Sequence, residues 1–286
     1  MNRTGKIILF TNARDELKLK EWVAHHLLLG FDFIYIFDHK SKIPLEGQFL
    51  DFNKDKFQVY VERCELDGGI KNTLITNAAN IAKRDNFEWM LYLDADEFLV
   101  INNDKITNVK QLLSYYQYAD SVSCNWLLFG SNFHIKEPDG LIIDNYTRSE
   151  TTLIDSLKTF IRPSQFVSSN PHRPLIKFPH KAYHVNGTQL KNEAGVSNYF
   201  YKNCINFEKA QVFVAHYVVQ SEETYINRKL NLPRDDNGEC RNNKITWVID
   251  NSSNIDNLHK LHNDTINTLV KIRYSEKIKN YLENIK

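Results

Sequence analysis

The chain is short of residues that interrupt regular structure: its 286 residues include 10 glycines and 7 prolines. That scarcity argues against a fibrous or disordered protein and for a packed globular one. Neither sign of charge is in excess, with 36 Lys and Arg against 35 Asp and Glu. No global field therefore favours nucleic acid or an anionic membrane, and any anion must be met locally. Cysteine is also sparse. Cys64, Cys124, Cys204 and Cys240 are far apart and form no CxxC pair, which fits reduced thiols better than a disulfide framework or zinc site. No long apolar run occurs, and Met1-Asn2-Arg3-Thr4-Gly5-Lys6 leads straight into Ile7-Ile8-Leu9-Phe10. The expectation is a soluble, cytoplasmic protein without a signal peptide or transmembrane segment.

What is present is an alternation of short apolar runs with amphipathic segments, the pattern of a mostly parallel sheet covered by helices in one elaborated α/β domain. Ile7 to Phe10 reads as a strand. Leu19, Trp22, Val23 and Leu27 recur at helical spacing, and Gly30 stands where a C-terminal glycine would end the helix. On that apolar face Trp22 and His26 read as core. Strands follow at 33–37 and around 59–61, and a helix over 72–83 delivers the chain to Trp89-Met90-Leu91-Tyr92-Leu93, apolar throughout as a central strand should be. The second half is less regular. Residues 122–129 and 212–217 look like strands, with loops over a cleft expected between them. Leu258, Leu261, Ile266, Leu269 and Ile272 suggest a closing amphipathic helix.

Asp94-Ala95-Asp96 follows the fourth apolar run. Ligands gather beyond the carboxyl ends of strands in open α/β sheets, and two carboxylates one residue apart just past a buried strand need a cation. Oxygen ligands select a hard ion, Mn²⁺ or Mg²⁺, which takes phosphate oxygens as further ligands. A sugar-nucleotide diphosphate would complete that shell, and the metal would offset the charge building on it as it leaves.

Glu21-Trp22-Val23-Ala24-His25-His26, Leu29-Gly30-Phe31-Asp32, Tyr35-Ile36-Phe37-Asp38-His39-Lys40-Ser41 and Leu91-Tyr92-Leu93-Asp94-Ala95-Asp96-Glu97-Phe98 together resemble glycosyltransferase family 92 and the related family-2-like proteins. The resemblance continues through Asn125 to Ser131, Pro171-His172, Ala215-His216-Tyr217, Ser221-Glu222-Glu223 and Lys229. It implies a GT-A, Rossmann-like fold, a UDP-sugar donor, Mn²⁺ dependence and inversion at the anomeric carbon. By the same resemblance Thr11, Asn12, Arg14 and Asp38 lie on the donor side, Asp94 near ribose and metal, Asp96 on the metal, and His216 completes the metal site. The halves implied are nucleotide-sugar binding over 1–105 and acceptor side over 106–230, with a C-terminal helical extension over 231–286. A family often carried on membrane anchors, met here without one, points to a microbial or viral enzyme.

The expected activity is hexosyl transfer, galactose before glucose, to a glycan or glycoconjugate. An inverting transfer needs a base at the acceptor hydroxyl. Glu150 is the first choice among Glu137, Asp139, Asp144, Glu150 and the Asp235-Asp236 pair, while Trp126 and His172 offer flat and polar surface for a sugar. The rival reading is a non-catalytic nucleotide- or glycan-binding protein on the same fold. A nucleotidyltransferase fits less well, because the loop Thr11-Asn12-Ala13-Arg14-Asp15 lacks the glycines that would cradle a triphosphate.

Overall fold

The computed structural model describes residues 5–191, 200–240 and 255–285. The first half alternates as expected: β1 (Ile7–Ala13), α1 (Leu19–Leu28), β2 (Phe33–His39), β3 (Val59–Cys64), α2 (Lys71–Arg84), β4 (Trp89–Tyr92) and β5 (Glu97–Ile101). Then come α3 (Val109–Ser114), β6 (Ser121–Leu128), the short α4 (Ile142–Asn145) and β7 (Arg148–Ser149), β8 (Ile154–Ile161), β9 (Phe166–Ser168), β10 (Leu175–Ile176) and β11 (Ala182–His184). After β12 (Val212–His216) and α5 (Glu222–Thr224), β13 (Thr265–Ile266) and α6 (Leu269–Asn284) close the described chain.

Nine strands form one sheet in the order β3-β2-β1-β4-β8-β6-β12-β5, with β11 also paired to β6. The β1–β4 block is parallel, and β8 runs antiparallel to both its neighbours. Short as it is, β4 is buried along its whole length. Three strands separate β4 from β5 in the ladder, although only residues 93–96 join them in sequence. Four flat inter-strand steps would cover about 19 Å. Five residue steps reach about 17 Å when fully extended, and a turn shortens this link, because Glu97 N–H donates to Asp94 O at 3.0 Å. The sheet must therefore curl, and the acidic turn sits inside the curl.

Two expectations need correction. The stretch between β6 and β12 is not loop alone: β8 is an eight-residue strand in the middle of the sheet. The closing helix starts only at Leu269. Leu258 packs with Val219 and Tyr225 in a separate small cluster, and Ile266 belongs to β13. The helix buries Val270, Tyr274 and Ile278 and packs against α1, where the Tyr274 ring lies 4.6 Å from that of His25. Trp22 and His26 are fully buried, as their pattern implied. Gly30, at φ 88°, adopts the left-handed conformation that ends α1.

Candidate active site

At the carboxyl ends of β1 and β4 the sheet opens into a cleft of about 230 Å³. Asp94 and Asp96 line it from the β4–β5 turn, Asn12 from the end of β1, Arg14 from the loop after it, and Lys71 from the first turn of α2. In β–α units a helix begins where its strand ends, so first-turn side chains reach this side of the sheet. The far wall is Trp126 on β6, Lys158 on β8 and His216 on β12, with His172 beside them.

The two aspartates are held by three lysines. Lys71 bonds Asp94 Oδ1, and Lys158 Nζ stands 3.2 Å from Asp94 Oδ2 and 3.0 Å from Glu97 Oε2. Lys229 Nζ donates to Asp96 Oδ2 at 2.8 Å, while His216 Nε2 stands 3.5 Å from Asp96 Oδ1. Burial alone would raise both aspartates. Lys158 and Lys71 at Asp94, and Lys229 and His216 at Asp96, outweigh it and hold both carboxyls well below the usual range. Glu97 differs: burial prevails over Lys158 and pushes it up to about 7.

Residues 225–236 cross the cleft mouth. A single π-helical turn, Tyr225–Leu230, carries Arg228 onto Glu16 and Lys229 onto Asp96; such wide turns recur at functional sites. Asn12 Nδ2 donates to Asp235 Oδ2 at 2.5 Å, and the Lys71 N–H donates to the Asp235 carbonyl at 2.8 Å. Glycine makes this seating possible, since a Cβ on Gly69 would come within 2.5 Å of the Asp236 carbonyl.

Several buried polar atoms around the cleft lack a hydrogen-bond partner among the described residues: Arg14 Nε, Trp126 Nε1 and Arg228 Nε, while Glu97 Oε1 and His216 Nδ1 have only each other, 3.9 Å apart. A stranded group costs about 1–3 kcal/mol, so each of these atoms calls for an explanation, which a polar ligand or ordered water in the cleft would supply.

Seven of the residues expected at the site meet in this cleft: Asn12, Arg14, Asp94, Asp96, Trp126, His172 and His216. Three do not line it. Thr11 is fully buried and bonds the Asn12 carbonyl. Asp38 accepts from the Ser41 and Leu45 N–H groups and from Arg63, which together outweigh its burial and lower its carboxyl; it shapes the loop after β2. Glu150 is bound to His262 Nδ1 at 2.7 Å. Glu16, Lys71 and Arg228 went unnoticed in the sequence. A helix-start position after β3 was the one signal that could have revealed Lys71.

The donor atoms suit a hard divalent cation, with carboxylate oxygens and one imidazole nitrogen. Among the described residues, however, no three His, Cys, Asp or Glu are gathered as tightly as a coordination shell. Asp96 and His216 approach one another, whereas Asp94 is turned into Lys71 and Lys158. The ammonium of Lys229 stands in for a cation at Asp96, so an ion fits Asp96 and His216 once that ammonium withdraws.

No described helix is long and apolar enough to cross a membrane. Comparison with curated proteins finds no match. Among solved structures the chain is similar to HddC from Yersinia pseudotuberculosis, at 9% identity over 63% of this chain and 90% of that one, TM-score 0.36. It is similar to UDP-glucose pyrophosphorylase complexed with UDP-glucose, at 15% identity over 56% and 76%, TM-score 0.32. A third is 4-diphosphocytidyl-2C-methyl-D-erythritol synthase from Anaerococcus prevotii, at 10% identity over 57% and 72%, TM-score 0.31. The sequence comparison reaches further: residues 70–231 match glycosyltransferase family 92. That span is more than half of the chain and includes Lys71, the acidic turn, Lys158, His216 and Lys229, and by it this protein belongs to glycosyltransferase family 92.

Proposed function

We propose that the protein transfers a hexose, galactose or glucose, from a UDP-sugar to a hydroxyl of a glycan or glycoconjugate, with inversion and with Mn²⁺ or Mg²⁺ held at Asp96 and His216, while Asp94, expected as a further ligand, keeps its two lysines. The observation that carries this reading is the Asp94–Asp96 turn, ionised and lysine-paired inside a cleft ringed by unsatisfied polar atoms. Charge supports it too. Six Lys and Arg side chains line the cleft against five Asp and Glu, so cations stand on every side of a diphosphate placed there.

When bound, the metal would offset charge on the departing diphosphate. The chain's own residues do the rest. Lys71 and Lys158 keep Asp94 ionised, and Arg14 and Arg228 line the cleft with guanidinium groups suited to phosphate oxygens. Trp126 and His172, ring centroids 4.9 Å apart, form a wall for a sugar. We move the base role from Glu150 to Glu16, the cleft carboxylate whose burial lifts its proton affinity to about 7, with Arg228 opposing. A group titrating there is matched to taking a hydroxyl proton near neutral pH.

The test is UDP release from a panel of UDP-sugars with Mn²⁺ or with EDTA, comparing wild type with Asp96→Ala. Metal-dependent release from one donor, lost in the variant, supports the transferase and names the sugar. No release together with no metal-dependent UDP binding would sink it, and binding without release even when acceptor glycans are supplied would favour a non-catalytic binder.

A further inference from the structure

The three lysines on the acidic turn are not equivalent. The Lys158 side chain is 1% exposed; besides Asp94 it bonds Glu97, and its ammonium lies 5.4 Å from the centre of the Trp126 ring. Lys71, 6% exposed, is tied to both Asn12 and Asp94. Lys229 is 24% exposed at the cleft mouth, with the Asp96 oxygen as its acceptor. Withdrawing Lys158 or Lys71 would strand a buried charge, which is costly. Lys229 can swing on its four-carbon stem into a wet cleft.

Asp96, for its part, is 2% exposed, and both its oxygens are committed: one to Lys229, the other facing His216. A divalent ion cannot settle at Asp96 beside an ammonium already bonded to the same carboxylate, because the two cations repel. The ammonium will leave readily only for another anion. A diphosphate in the cleft is such an anion.

We propose that Lys229 is an internal cation that occupies the metal position at Asp96 until a nucleotide diphosphate draws it away. This rests on the proposed metal-dependent reading of the cleft and adds to it an order of events. Metal and nucleotide then bind as a coupled pair: each strengthens the other by the same factor, as linkage requires. Lys229 is the residue that sets this coupling, and Arg228, fixed on Glu16 one position earlier, anchors the turn while Lys229 moves.

The test measures Mn²⁺ affinity by paramagnetic resonance of the free ion, with and without UDP, so that turnover plays no part. Wild type is expected to bind Mn²⁺ weakly alone and more tightly with UDP. In Lys229→Met and in the more polar Lys229→Gln, affinity for Mn²⁺ alone should rise about tenfold, within the usual range for coupled sites, and the enhancement by UDP should shrink. Lys229→Arg should behave as wild type. If wild type shows the UDP enhancement but the Met and Gln variants bind Mn²⁺ alone no better than wild type, the role of Lys229 is refuted and the metal reading survives. If wild type binds no Mn²⁺ even with UDP, the metal reading fails and takes this inference with it.

Discussion

Two tryptophan–histidine groups lie buried on different walls of this fold, and they are satisfied differently. On α1, Trp22 donates its indole N–H to the Glu97 carbonyl at 2.7 Å. His26 is bonded through both ring nitrogens, to the Trp22 carbonyl and the Leu99 N–H. His25 stands 2.7 Å from the Leu99 carbonyl, so Nε2 carries the proton and the bare Nδ1 is only a lone pair. In the cleft, Trp126 leaves its N–H unpartnered, and His216 Nδ1 has only Glu97 Oε1 at 3.9 Å, although both residues are buried. The same residue types thus read as core where the backbone answers them and as binding wall where it does not.

Four experiments bear on that contrast. The largest effect is expected at the acidic turn. Asp96→Asn should cut metal-dependent UDP release by a hundredfold or more, on the order of losing one preorganised electrostatic contact, while far-ultraviolet dichroism stays that of wild type. Next comes Trp22→Ala, which should cost about 3–5 kcal/mol in denaturant unfolding by opening a cavity and stranding the Glu97 carbonyl. If it costs less than Trp126→Phe, the division into core and wall is wrong.

The third is acid sensitivity. Burial lowers His25 and His172 from 6.5 to about 4. Because the unfolded imidazoles bind protons first, each contributes stability that is full above 6.5 and lost as pH falls toward 4. Melting temperature should therefore drop across that window, and His25→Phe should flatten the drop. The smallest effect is expected of Trp126→Phe. Removing a stranded N–H should leave unfolding free energy within about 1 kcal/mol of wild type, yet weaken UDP-sugar turnover.

Much of this was legible in sequence because its causes are local. Alternation of apolar runs located β1 to β4, and the acidic pair beyond an all-apolar strand located the cleft. The strand β8 escaped notice because Asp155, Ser156, Lys158 and Thr159 interrupt its apolar residues, and what permits Lys158 to be buried there is a pair of carboxylates some sixty residues earlier. Glu16 and Arg228 were hidden for the same reason, being 212 positions apart. Glu150 stands in a polar stretch whose sequence points over the cleft, and the histidine partner that holds it elsewhere lies 112 residues away.

The bond from Asn12 to Asp235 spans 223 residues, and that span bears on how the protein comes into being. Contacts so distant in sequence pay loop-closure entropy before they return anything, so they tend to form slowly. The first strands can pair among themselves early, while the cleft mouth waits for the chain to come back over it. During refolding, the capacity to bind UDP should lag behind the recovery of secondary structure, making nucleotide binding a late reporter of completed folding.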